Sequence, residues 1–177
     1  MQIKVAMYSA EAANKLSHIP YTGTNGLYSA VVPTPGSIEA IIKLADELEL
    51  SPEEDALHAT VIYSKKAPGD NVEAVKRIAD SDYAYHGVIN AVEHWVGHNG
   101  KTYIVLKLVS AGIVLANASL QRMGAEHTFV PFSPHITLSD DVPVDEAMQA
   151  RIDFVNKRLA FDPIEVKLIN QIVGDLD

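Results

Sequence analysis

Cysteine is absent from the 177-residue chain, so it can carry neither a disulfide framework nor a thiolate metal site. That absence fits a reducing compartment. No apolar run approaches the ~20 residues needed to span a bilayer. The opening Met1-Gln2-Ile3-Lys4-Val5 lacks the long apolar stretch of a signal peptide. Together these point to a cytoplasmic protein with no membrane partner. Basic residues are also scarce: 14 Lys and Arg stand against 23 Asp and Glu, a formal net charge of −9. Long nucleic acid is held by many Lys and Arg contacts to phosphates, which argues against it as a partner. A small anionic ligand needs only one or two well-placed cations and a few hydroxyls. Low-complexity tracts and tandem repeats are missing too.

What remains is an ordinary globular composition. Apolar residues make up 47% and charged residues 21%, enough to form a core, and the length fits a single domain of two packed lobes over 1–177. The polar stretch 9–25 reads as a loop. Strands are expected over 27–32, 57–63, 83–95, 102–108, 136–138 and 164–173. Thr34-Pro35 opens a helix on which Ile38, Ile41, Ile42, Ala45 and Leu48 recur at helical spacing. Asp70 and Glu73 resemble a capping box for a helix to about Ala79. Two more helices are expected over 111–123, stopped by Gly124, and 143–158. Helices and strands are mixed without clean alternation, so the fold class is α+β with mainly antiparallel sheets. A twofold rhythm runs through it. In each half, a helix precedes a strand carrying His-x-Thr.

Those two motifs carry the chemistry. They are Leu57-His58-Ala59-Thr60-Val61 and Pro134-His135-Ile136-Thr137-Leu138. Alternate residues of a strand share a face. His58 and Thr60 therefore point one way while Leu57, Ala59 and Val61 pack the other, and His135 and Thr137 repeat the arrangement. Displacement at a phosphodiester needs a base for the attacking oxygen and an acid for the leaving oxygen. Imidazole, with an unperturbed pKa near ~6.5, supplies either. Threonine hydroxyls can hold the non-bridging oxygens. Neither a metal nor another cofactor is required.

Other signals are weaker. His94 and His98 are four apart beside Glu93, but Gly97 and Asn99-Gly100 break the helix a zinc site of that spacing needs. Gly97 to Thr102 is too short for a P-loop and leads into a strand, not a helix. Ser110 and Ser133 lack a nucleophile elbow. His18, His86 and His127 have no motif around them. Trp95, beside a hairpin turn, offers a stacking surface for a base. Tyr63, Lys65 and Lys66 follow the first motif and are candidates to meet phosphate. Arg122 suits the dipole of its own helix.

The paired motifs resemble the signature of the 2H phosphoesterase superfamily. A narrower resemblance covers most of the chain. It is carried by Asn25-Gly26-Leu27-Tyr28, residues 57–64, Met123-Gly124-Ala125-Glu126-His127 and Phe132 to Ser139, and it is to the phage anti-CBASS nucleases. The superfamily resemblance implies a bilobal fold, with two mainly antiparallel sheets facing a central cleft and helices outside. The narrower one implies cleavage of cyclic oligonucleotide immune signals by attack of a ribose 2′-OH. It places Tyr28 near the cleft and gives Glu165 a base edge to bind. Two rivals stand beside this. One is a 2H enzyme acting on RNA ends or 2′-5′ linkages. The other is a cyclic-nucleotide sponge that binds without cutting.

Overall fold

The computed structural model describes residues 22–23, 26–79, 83–97 and 99–176. Most of the loop expected over 9–25, with His18 and His98, lies outside the described residues. The strands are β1 (Gly26–Pro33), β2 (Ala59–Ser64), β3 (Tyr85–Val96), β4 (Thr102–Val109), β5 (His135–Asp140) and β6 (Ile164–Leu176). The helices are α1 (Pro35–Glu47), α2 (Val72–Ala79), α3 (Ala111–Arg122) and α4 (Glu146–Leu159).

Local chemistry sets the helix ends. Pro35 occupies the first turn of α1, where its missing N–H costs nothing. The Ser110 hydroxyl accepts the Ile113 N–H to start α3 and donates to the His86 carbonyl at 2.7 Å, tying α3 to β3. Gly124 follows α3 with φ of 101°, a conformation only glycine adopts easily. The last helix begins at Glu146, not Pro143, because the Asp145 carboxylate accepts the Met148 N–H at 2.8 Å. Asp70 lies in a short 3-10 turn over Gly69–Asn71, not at the cap of α2.

The strands close into a ring in the order β1-β2-β5-β4-β3-β6, every recorded pairing antiparallel. The two expected sheets are thus the three-stranded halves β2-β1-β6 and β5-β4-β3 of one closed sheet. The long strands β3 and β6 make one join. Their N-terminal parts pair with each other, from Tyr85↔Leu168 to Ile89↔Ile164. Their C-terminal parts diverge, β3 to β4 and β6 to β1. The other join is a single pair between β2 and β5, Ala59↔Ile136. The core beneath includes Leu27, Ile41, Leu44, Ile62, Leu106 and Ile136, each essentially sealed from solvent. Each such side chain contributes about 1.5–3 kcal/mol relative to exposure, and Ile41, Leu44 and Ala45 anchor α1 at helical spacing.

Candidate active site

The single β2–β5 pair assembles the site. Ala59 opposite Ile136 fixes an antiparallel register in which His58 faces Thr137 and Thr60 faces His135. Ala59 and Ile136 are fully buried, while His58, Thr60, His135 and Thr137 are each half-buried. All four therefore share the open face of the seam. Diagonal neighbours in such a pair lie on the order of 7–8 Å apart. That leaves room for a phosphate between the two rings, with a hydroxyl at each flank.

Both imidazoles are held alike. The Nδ1–H of His58 donates to the Ala56 carbonyl at 2.8 Å, and that of His135 to the Ser133 carbonyl at 2.9 Å. In each case the acceptor lies two residues upstream and can take only a proton donor. The neutral ring then carries its lone pair on Nε2, and the protonated ring carries a proton there. Burial pushes the pKa of His58 below its usual value, opposed by the Ala56 bond. Burial also lowers that of His135, where the Ser133 bond opposes it and the charges of His58 and Lys107 add to the lowering.

Each motif is followed by a β-bulge at the same offset. Ser29 pairs with Ile62 and Ala30 with Thr60, leaving Val61 as the extra residue. Ile104 pairs with Ser139 and Val105 with Thr137, leaving Leu138 extra. Strict alternation would turn Tyr63 away from His58. The Val61 bulge shifts the phase, and Tyr63 becomes half-buried beside Tyr28, whose ring lies 6.3 Å away. The buried Asn117 of α3 supports this bulge, its Nδ2 donating to the Val61 carbonyl at 2.8 Å. The helical pattern of α3 had given Asn117 no such role.

The flanks of the two histidines differ. Beside His58 stands Tyr28, edge-on at 6.4 Å between ring centroids. Beside His135 stands Trp95, edge-on at 4.5 Å. Lys107, opposite His135 in the β4–β5 register, sits over the Trp95 ring at 5.6 Å and donates to Ser133 Oγ at 2.6 Å. Trp95 Nε1 donates to Glu93, whose carboxylate is 3.9 Å from Lys107. His127 is a third imidazole at the site. Its Nδ1 accepts the Tyr63 N–H at 3.2 Å, and burial and the charge of His135 lower its pKa. No sequence motif marks Lys107 or His127 for a role. The only signal for His127 was its place in a stretch shared with the nuclease family.

Lys65 and Lys66 lie just beyond Tyr63, lining a cavity of about 270 Å³ with Glu126, His127 and Thr128. Glu165 is not brought to the histidines. It pairs with Val88, which pairs with Val109, three strands from His135. There it lines a separate cavity with His86, Lys167 and Ser37. Arg122 ends α3, its Nε donating to the Ala118 carbonyl at 3.4 Å. His94 is exposed on β3.

Comparison with known proteins finds a family model that matches most of the chain. The sequence model of the family described as "Anti-CBASS protein Acb1" matches residues 25–171. The chain belongs to the anti-CBASS Acb1 family. It is 25% identical over 156 residues to the anti-CBASS protein Acb1 of Vibrio phage KVP40, covering 87% of this chain and 89% of that one. With the Acb1 protein of Salmonella phage S16 it shares 30% identity over 121 residues, 67% of this chain and 74% of that one. Among solved structures, E. coli LigT complexed with ATP aligns at a TM-score of 0.46 and 18% identity, over 68% of this chain and 76% of that one. An α+β fold, two His-x-Thr strands meeting on one face and Acb1 membership make the chain a phosphodiesterase of the 2H kind.

Proposed function

We propose that the chain cuts 3′-5′ linkages in cyclic di- or trinucleotide immune signals, working in the cytoplasm of a phage-infected bacterium and needing no metal. The observation that carries this is the diagonal pair of histidines, each locked through Nδ1 and with no bond at Nε2 among the described residues, with Thr60 and Thr137 on the other diagonal. One neutral Nε2 removes the proton of a ribose 2′-OH, and O2′ attacks the adjacent phosphorus. The P–O5′ bond breaks as the other imidazolium gives its Nε2 proton to O5′. The products are a 5′-hydroxyl and a 2′,3′-cyclic phosphate. Water then opens the cyclic phosphate with the roles exchanged. The threonine hydroxyls donate to the non-bridging oxygens.

Tyr28 and Trp95 flank His58 and His135 respectively. Bases on either side of the scissile phosphate stack there, with Tyr63 extending the Tyr28 side. A ligand of few phosphates suits a chain of net charge −9. Glu165 lines a separate cavity with His86 and Lys167.

Purified protein in EDTA, given cyclic di- and trinucleotides such as cyclic GMP–AMP and a set of 2′,3′-cyclic phosphate RNA ends, tests the proposal. Linear products ending in a 3′-phosphate or 2′,3′-cyclic phosphate are expected. His58→Ala and His135→Ala each lower the rate by at least ~10². Cleavage confined to RNA ends would instead favour an end-processing enzyme, and tight binding with the ligand recovered intact a sponge.

A further inference from the structure

We infer that the cavity beside Tyr63 is a second phosphate subsite, holding a phosphodiester of the substrate other than the one being cut. This rests on the function proposed above and names what in the substrate distinguishes an oligonucleotide from a single nucleotide.

The cavity is lined by Lys65, Lys66, Glu126, His127 and Thr128. Among the described residues Glu126 is the one anionic side chain there, and Lys66 is ion-paired with it. Lys65 is exposed and has no recorded ion pair among the described residues, so the cavity keeps one net positive charge. The Tyr63 N–H donates to His127 Nδ1. That bond requires an unprotonated Nδ1, so the neutral ring carries its hydrogen on Nε2. His127 is thus a fixed donor with no acceptor left to offer. Its ring is held between Phe129 and Phe132, at 6.1 and 4.8 Å. Thr128 is pinned at the same edge, its N–H donating to the Tyr63 carbonyl at 2.9 Å, and the exposed residue lines the cavity. Residues that carry an ammonium, an N–H and a hydroxyl line one cavity, a set that suits a phosphodiester anion.

The spacing agrees. With the Val61 bulge, Thr60 to Tyr63 matches two residues of the partner strand, Ala30 to Tyr28, about 7 Å at strand rise. His127 is bonded to Tyr63, on the strand that carries Thr60, so the cavity lies along β2 from the scissile centre. A neighbouring phosphodiester spans this gap. A 2′,3′-cyclic mononucleotide has none to place there.

The test is binding selectivity. Dissociation constants are measured by calorimetry for a non-hydrolysable phosphorothioate cyclic dinucleotide and for a 2′,3′-cyclic mononucleotide, with wild type, Lys65→Ala and His127→Asn. The asparagine Oδ1 keeps an acceptor for the Tyr63 N–H, while the Nε2–H and the ring that carries it are lost. Each variant should shift the ratio of the two constants about tenfold against the dinucleotide, the loss of one charge-assisted contact. The ratio is read within each variant, so a general loss of folded protein does not imitate the result. Equal weakening of both ligands, or no weakening, overturns the subsite. Turnover of unmodified cyclic dinucleotide by wild type reports separately on the reading beneath it. If wild type binds the dinucleotide no better than the mononucleotide, the subsite falls even where cleavage is seen.

Discussion

The half around His58 and the half around His135 share a backbone plan and differ in what surrounds it. Both present His-x-Thr on the open face of the seam, both anchor Nδ1 to a carbonyl two residues upstream, and both place a bulge three residues after the histidine. Their neighbours diverge. His58 has Tyr28 alongside, and no cation is among the causes of its shift. His135 has Trp95 and Lys107, and its charge is felt by His127. In the proposed reaction the repeated skeleton supplies two proton carriers, and the unequal side chains are what would divide the labour between them.

The shared features should fail alike. Thr60→Val and Thr137→Val each remove one hydroxyl from the same phosphate, and each should lower kcat/KM by roughly 10², the low end for an oxyanion donor. A loss confined to one of them would break the equivalence of the halves. The unshared features should fail separately. Lys107→Met removes a cation that disfavours protonated His135, so the His135 pKa rises. The matching limb of the pH profile of kcat/KM should move to higher pH, with roughly tenfold lower activity from the lost charge. His58 should keep its limb in place.

Smaller effects sharpen the picture. Asn117→Leu leaves the buried Val61 carbonyl without its donor, and should cost about 1–3 kcal/mol in denaturant unfolding. Tyr63 then loses its aim, so KM for a cyclic dinucleotide should rise more than kcat falls. The histidines also make stability depend on pH. All three have folded pKa values lowered by burial, so the unfolded chain binds protons more readily. Their contribution is complete above the unfolded value near ~6.5 and is lost as pH falls toward the lowered folded values. The melting temperature should drop across that interval, with a shallower slope in His127→Phe.

Much of this was legible in the sequence because short-range signals decide it. The His-x-Thr alternation, the proline opening α1 and the glycine closing α3 each act through their own residues. The ring closure was not legible, since a single Ala59↔Ile136 pair between distant segments creates it. The bulges left no mark either. Val61 and Leu138 are ordinary strand residues, and simple alternation would set Tyr63 facing away from His58. Lys107 acquires its role from register with His135, and His127 from a bond to Tyr63. Glu165 is the converse case. Its role came from family likeness alone, and strand pairing places it beside Val88.

The central claim is that one imidazole gives a proton to the leaving O5′ while the other takes one from the 2′-OH. The most direct measurement uses a cyclic dinucleotide whose scissile bridging O5′ is replaced by sulfur, a leaving group that needs no acid. Cleavage of this substrate by His58→Ala and His135→Ala should be restored close to the wild-type rate in one variant, the one lacking the acid, and remain impaired in the other. Restoration in both, or in neither, would contradict the division of roles.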